Sequence, residues 1–148
     1  MKSLASHAAV ALVASATTWL AISGPPQFLA AHAQIPTPAG TRQIDLFKTT
    51  MDDVMGRVVT IRRTERDPGS GSPPHRHPGS HTFGYILEGT YEFRLNDGPV
   101  QKLGPGQTFY EPPNALHAVS RNGDSNTTVK YLVIQVSDPS KPATGAEP

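Results

Sequence analysis

Turn-forming residues recur at short intervals along this chain, and they constrain its fold more than any other feature of the sequence. The 148 residues include 13 glycines and 15 prolines. Between Phe83 and Leu103, turn signals at Glu88-Gly89-Thr90 and Asn96-Asp97-Gly98 separate apolar stretches, which predicts two hairpins in series. Similar signals follow about every eight to twelve residues, so the sequence predicts an all-β sandwich or barrel of about eight strands, without a long helix.

The N-terminal segment has the pattern of a secretory signal. Lys2 precedes the apolar stretch Ala8–Ile22, and Ala31-His32-Ala33 provides a small-x-small cleavage site. The apolar stretch is shorter and richer in alanine than a spanning helix of about 20 residues. Residues 1–33 are therefore predicted to be a signal peptide, and the mature protein to be secreted or periplasmic without stable membrane insertion. The alternative is an uncleaved N-terminal anchor.

Composition divides the remainder of the chain into three parts. Residues 34–56 are predicted to form an N-terminal arm and the first strand, residues 57–137 the barrel, and residues 138–148 a disordered tail with three prolines. The chain has no cysteine, which excludes disulfides and a lipid anchor on cysteine.

The charge of the mature protein is balanced. Loss of Lys2 leaves 12 basic residues, 13 minus one, against 12 acidic ones. A net charge near zero argues against nucleic acid or an acidic membrane surface as partner. The basic cluster is interpreted as a solvated strand edge, because Glu65 and Asp67 interrupt it; its members are Arg57, Arg62, Arg63 and Arg66.

Every histidine of the predicted mature protein lies in one of two short segments. These four are His75, His77, His81 and His117. Alternate side chains on a strand share a face, so His75 and His77 point the same way. Imidazole nitrogen binds first-row transition metals, and His117 could supply a third ligand from across a barrel. The alternative is a polar strand mouth that holds no metal.

The first of these segments resembles the first motif of the cupin family. That motif has a Gly, five residues, His-x-His, three or four residues, a Glu, six residues and a Gly. His75-Arg76-His77 supplies the His-x-His, Gly69 the approximate first Gly, and Gly89 the last. The resemblance implies the cupin-type double-stranded β-helix, a jelly-roll barrel, and often a homodimer.

The second segment resembles the second cupin motif. Gly106 begins it, five residues lead to Pro112, and His117 follows at the family's spacing. Asn114 replaces the family's Gly, but Asn tolerates left-handed backbone, so the turn can form. Arg121 stands where the family usually has Asn.

The sequence departs from the family at the metal-binding Glu of the first motif. Counting back six residues from Gly89 places that position at Thr82, and His81 lies directly before it. Alternation from His77 turns His81 inward, whereas alternation back from the Glu88-Gly89 turn makes residues 86, 84 and 82 inward and so favours Thr82. A bulge at Pro78-Gly79-Ser80 could absorb the difference.

We predict His81 as the third or fourth ligand. The alternatives are a three-histidine site with Thr82 nearby, or a site without metal. Glu88 and Glu111 are interpreted as structural or surface groups.

The substrate pocket is predicted to include Thr82, Gly84 and Tyr85, since an inward Gly84 would leave space beside the metal. Arg94 and Arg121 could bind a substrate carboxylate, although a surface role is favoured.

The cofactor predicted here is a divalent transition metal, with Fe, Zn, Mn and Cu all open. The resemblance implies a metalloenzyme acting on a small-molecule ligand, oxidative (dioxygenase-like) or isomerising, and the signal pattern predicts that it is exported. The alternatives are a metal-dependent binding module without catalysis and a barrel retained for protein association.

Overall fold

The computed structural model describes residues 36–54 and 56–146, and every helix or strand in this part of the chain is a β-strand. The predicted signal peptide, residues 1–33, lies outside the described residues. The strands are β1 (Thr41–Met51), β2 (Arg57–Arg66), β3 (Gly71–Ser72), β4 (His75–Arg76), β5 (Ser80–Glu88), β6 (Tyr91–Leu95), β7 (Gln101–Leu103), β8 (Thr108–Glu111), β9 (Leu116–Asn122), β10 (Val129–Ser137) and β11 (Gly145–Ala146). The all-β prediction is confirmed. No helix in the described ranges is long and apolar enough to cross a membrane.

The strands form two antiparallel sheets. The first has the order β1-β2-β10-β5-β8. The second has the order β11-β4-β9-β6-β7, and β3 also pairs with β9. Neighbouring strands in the sheets are mostly distant in sequence. For example, β10 lies between β2 and β5, although long segments of the chain separate these strands.

Aromatic side chains from both sheets fill the space between them. Tyr91 on β6 packs against Tyr131 on β10, with ring centroids 4.6 Å apart. Phe93 on β6 stacks on Phe109 of β8 at 4.8 Å. Ile86 and other apolar residues complete this core, and burial of their surface is the main stabilising contribution.

One turn decides which residues of β5 face the interior. The Ser80 N–H donates to the carbonyl of His77 at 3.2 Å, and Gly79 adopts a φ of 73°. This turn shifts the alternation by one residue relative to the His75–His77 pair. The inward residues of β5 are consequently Ser80, Thr82, Gly84 and Ile86, while His81, Phe83, Tyr85 and Leu87 point outward.

The prediction of the first hairpin is wrong. β5 and β6 belong to different sheets and do not pair; Gly89, with φ of 75°, turns the chain from one sheet to the other. A Cβ at Gly89 would lie 2.8 Å from the carbonyl oxygen of Thr128, which directly precedes β10, so the chain passes too close there to admit a side chain at residue 89. The second hairpin is present, since β6 pairs with β7 across the Asn96–Gly98 turn.

The C-terminal tail is partly ordered by pairing. Residues 138–148 are expected from composition to be disordered, yet β11 pairs with β4 through Gly145↔Arg76 and Ala146↔His75. The prediction fails there because backbone hydrogen bonds to an edge strand do not depend on side-chain composition. This pairing brings the tail beside the histidine segment.

Candidate metal centre

Three of the four predicted histidines converge inside the barrel. β4 pairs with β9 so that His75 lies directly opposite His117, with ring centroids 4.9 Å apart. The His77 ring lies 5.0 Å from that of His75. One ring nitrogen from each of the three lies within 4.8 Å of the others, a spacing from which they could bind one metal ion.

Backbone carbonyls orient two of these rings. Nδ1 of His75 lies 2.9 Å from the carbonyl oxygen of Pro73, and Nδ1 of His77 lies 2.7 Å from that of Ala143. A carbonyl oxygen only accepts, so each Nδ1 carries the proton and each Nε2 keeps a free electron pair. This arrangement is typical of metal-binding histidines, because it fixes both the tautomer and the ring angle.

A buried carboxylate completes the cluster. Glu111, at the end of β8, is 2% exposed, and its Oε2 lies 3.2 Å from His117 Nδ1 and 3.8 Å from His77 Nε2. Among the described residues, Glu111 Oε2 and His117 Nδ1 both lack a hydrogen-bond partner. Two buried polar atoms that face each other without partners are rare, and a cation between them would satisfy both. The donor set therefore fits a divalent metal.

The interpretation of Glu111 as a structural or surface group is corrected by this position. Strand β8 alternates in its burial, so Phe109 and Glu111 point inward while Thr108 and Tyr110 point outward. Glu111 also pairs directly with Thr82, the position of the family's Glu. The signal in the sequence was alternation along this strand: if Phe109 points inward, Glu111, two residues further on, points inward as well. Glu88, by contrast, is exposed and pairs with Lys130.

The ionisation of the cluster reflects its burial. Burial lowers the pKa of His75 from 6.5 to about 4, and the neighbouring His117 adds to this effect. Burial acts to raise the pKa of Glu111, but the close approach of His117, with His77 and His75 beyond it, outweighs burial and lowers it. At neutral pH the site therefore holds a neutral His75 and an ionised Glu111, the forms that bind metal.

The metal-free protein is expected to lose stability as the pH falls from 6.5 to about 4. In this window the unfolded chain protonates His75 while the folded protein does not, so acid favours unfolding. A pKa difference of this size corresponds to about 3 kcal/mol in the free energy of unfolding. Urea unfolding in the presence of a chelator, at several pH values, measures it.

His75→Gln should flatten this pH dependence, and His81→Gln should leave it unchanged. Equal pH dependence in the wild type and His75→Gln would contradict the assignment. The lowered pKa of Glu111 produces a separate loss, confined to pH values below its ordinary pKa of 4.5.

The structure does not bring His81 into the cluster, so the prediction of His81 as a ligand is corrected. His81 is exposed on the outer face of β5, where its Nδ1 lies 2.7 Å from the Tyr110 hydroxyl and its ring stacks on that of Tyr110. The turn at Gly79 produces this outcome, because it places the even-numbered residues of β5 inside.

Of the predicted pocket residues, only Thr82 lies beside the histidines. Thr82 is 1% exposed, lines the same cavity, and accepts a hydrogen bond from Gln135 Nε2 at 3.3 Å. Gly84 faces inward, but the ring of Phe109 occupies the space that its missing side chain leaves. Tyr85 is exposed on the outer face. Gly84 and Tyr85 therefore do not line the histidine cavity where the sequence predicted them; both line a second cavity beside Phe109 and Tyr110.

The basic cluster is also more complex than a solvated edge. Arg62 pairs with Asp45 at the surface, but Arg66 at the end of β2 is only 4% exposed and lines the histidine cavity. The interpretation of Arg66 as a solvated residue is wrong because its side chain points between the two sheets, where it contacts Ser72 and Ser120 of the facing sheet. Arg121 is a surface residue and pairs with Glu92.

Two facing sheets around a buried cluster of three histidines and a carboxylate define a class: small β-barrel proteins with a site suited to a metal ion. The family described as Cupin domain matches residues 62–135. This chain belongs to the cupin family, and its fold is the cupin-type double-stranded β-helix, as the two motifs predict.

Relatives in sequence include plant proteins. Germin-like protein subfamily 2 member 1 of Arabidopsis thaliana is 32% identical over 75 residues, which cover 48% of this chain and 34% of that protein. The rhicadhesin receptor of Pisum sativum is 29% identical over 75 residues, covering 48% of this chain and 35% of that protein. The chain thus spans about a third of the length of these relatives.

Solved structures with the same fold include enzymes. The polyketide cyclase RemF from Streptomyces resistomycificus has a TM-score of 0.58 at 25% identity, over 74% of this chain and 72% of that one. Oxalate oxidase in complex with glycolate has a TM-score of 0.56 at 21% identity, over 78% and 59% of the two chains.

Proposed function

We propose that this protein is an exported metalloenzyme that acts on a small organic molecule by an oxidative or isomerising reaction. In this proposal, His75, His77, His117 and Glu111 bind one divalent transition metal. The observation that carries it is the convergence of three imidazoles, each with a ring nitrogen within 4.8 Å of the others, beside a buried carboxylate. Export is supported by the predicted signal peptide, and a homodimer stays a prediction.

Each protein group has a definite role in this site. The carbonyls of Pro73 and Ala143 hold the protons of His75 and His77 on Nδ1, away from the metal position. Glu111 contributes one negative charge, so the ligand set is not the neutral all-histidine set predicted from the sequence. Three imidazoles and one carboxylate suit Fe, Mn, Zn and Cu alike. When bound, such an ion supplies Lewis-acid or redox chemistry to the substrate.

The neighbouring solved structures support small organic substrates. RemF is a polyketide cyclase, and the oxalate oxidase structure holds glycolate. A second candidate is a metal-dependent binding module without turnover, and it is favoured by the name of one relative, the rhicadhesin receptor. Turnover of small organic acids, phenolics or diketones by the metal-loaded protein separates the two candidates.

Metal content tests the site directly. We expect the purified wild-type protein to hold close to one divalent metal ion per chain, and His75→Ala and His117→Ala to hold less than about a tenth of that amount, since each loses a ligand. His81→Ala is the matched control: it removes an exposed histidine outside the cluster and should keep the wild-type content. Elemental analysis by mass spectrometry provides the measurement.

Equal metal content in the wild type, His75→Ala and His117→Ala would exclude the proposed site. Loss of metal in His81→Ala alone would place the site elsewhere, on the outer face of β5.

A further inference from the structure

A buried arginine without an acidic partner lies in the same cavity as the histidines. All four hydrogen bonds of the Arg66 guanidinium go to hydroxyl oxygens. These acceptors are Tyr131 at 2.8 Å, Ser72 at 2.7 Å, Thr41 at 3.3 Å and Ser120 at 3.3 Å. No carboxylate of residues 36–54 or 56–146 lies within ion-pair distance of Arg66. Arginine stays charged at any ordinary pH, so the cavity wall carries an unbalanced cation.

Three less buried arginines have carboxylate partners. Arg42 pairs with Asp67, Arg62 with Asp45, and Arg121 with Glu92. Arg66 is more buried than these three, and no carboxylate of the described residues pairs with it. Buried charges are costly unless they are paired, so the missing partner of Arg66 is expected to be a ligand.

A hydrogen-bonded chain of side chains connects Arg66 to the histidine cluster. Arg66 donates to Ser120, whose hydroxyl lies 2.7 Å from that of Tyr91, and the Tyr91 hydroxyl lies 3.4 Å from His117 Nε2. All of these groups line one cavity of about 110 Å³. At about 10–15 Å³ for each water, this space holds about seven to eleven waters, which is room for a small organic acid.

The charges of the loaded cavity favour an anion. A divalent ion and Arg66 together bring three positive charges, and among the described residues of the cavity wall only Glu111 is acidic. An anionic ligand between the metal ion and Arg66 would reduce the remaining excess of positive charge. Four of the five guanidinium N–H groups already donate to hydroxyls, so the fifth N–H and the hydroxyl protons of Ser72 and Ser120 are the donors that remain for a carboxylate.

We propose that Arg66, with Ser72 and Ser120, binds the carboxylate of a small organic acid whose other end reaches the histidine cluster. This inference rests on the proposed function, which supplies the metal at that other end. It narrows the substrate class from small organic molecules to carboxylic acids. The binding step involves no covalent change, and Arg66 acts as a substrate-binding residue.

Calorimetric titration tests the proposal with matched ligand pairs: glycolate against glycolamide, and benzoate against benzamide. We expect the metal-loaded wild type to bind each acid more tightly than its amide, and Arg66→Met and Arg66→Lys to weaken acid binding about tenfold to a hundredfold while changing amide binding less than threefold. Arg121→Gln is the control, since Arg121 pairs with Glu92 at the surface and does not line the cavity.

The metal-free protein separates this inference from the proposed function. If the wild type holds no metal but still prefers the acids, and Arg66→Met abolishes the preference, Arg66 is the anion site and the metal proposal fails. If metal binds and Arg66→Met, checked for folding by its thermal melt, binds acids like the wild type, Arg66 is structural and this inference is overturned. Ser72→Ala keeps the charge of Arg66 and removes one of its hydrogen-bond partners, so it should weaken acid binding less than Arg66→Lys does. Equal binding of the acid and its amide by the wild type would also overturn the inference.

Discussion

Replacing Glu111 with glutamine is expected to lower the affinity for a divalent metal about 100-fold or more. The variant keeps the shape of the side chain but removes the negative charge of the cluster and the Oε2 that faces His117 Nδ1 at 3.2 Å. Loss of groups that merely orient ligands costs about 10- to 100-fold in metal affinity, and a direct ligand should cost at least as much. Competition against a chelator of known affinity measures the dissociation constant.

A double variant that moves the carboxylate from β8 to the paired position on β5 provides the matched control. Thr82 pairs with Glu111 across β5 and β8, and both side chains are buried. The double variant Thr82→Glu/Glu111→Thr moves the carboxylate to the position that the family's first motif gives it and keeps the composition of the pair. We expect it to recover most of the affinity that Glu111→Thr loses. Wild-type affinity in Glu111→Gln would show that Glu111 is not a ligand.

Gly84→Val is expected to destabilise the protein by about 3 kcal/mol or more, the largest stability effect predicted for a single residue here. A Cβ built at Gly84 would overlap the ring of Phe109, which is 7% exposed and packs against Phe93 and Tyr91. Overpacking a dense core costs about 1–3 kcal/mol, and more when the obstacle is a rigid ring that cannot move. Denaturant unfolding with a chelator present measures the difference.

Two further variants make this prediction specific. Gly104→Ala adds a methyl group where the nearest atom, Gln107 Oε1, lies 3.9 Å away, and it should change stability by less than about 0.5 kcal/mol. Gly84→Ala/Phe109→Leu should be more stable than the sum of the two single changes predicts, because the smaller side chain makes room for the methyl group. An additive double variant would show that the Phe109 ring is not the obstacle.

The sequence by itself determined the fold class and three of the site's residues. Turn residues at short intervals allow strands but no long helix, and this local chemistry depends little on tertiary context. The left-handed turn at Asn114, with φ of 62°, also follows from local preference. His75 and His77 share a face because they are two residues apart, and His117 follows the second motif at its usual distance.

Only the tertiary structure decided which carboxylate joins the histidines and which arginine is buried. Side chains alternate between the two faces of a strand, so a single turn such as that at Gly79 exchanges the inward and outward residues. Thr82 therefore points into the barrel, and His81 points outward. Glu111 reaches the cluster because β8 pairs with β5, and Arg66 is covered because its side chain points between the sheets towards Ser72 and Ser120. These pairings join segments far apart in sequence, and no local pattern encodes the register that brings them together.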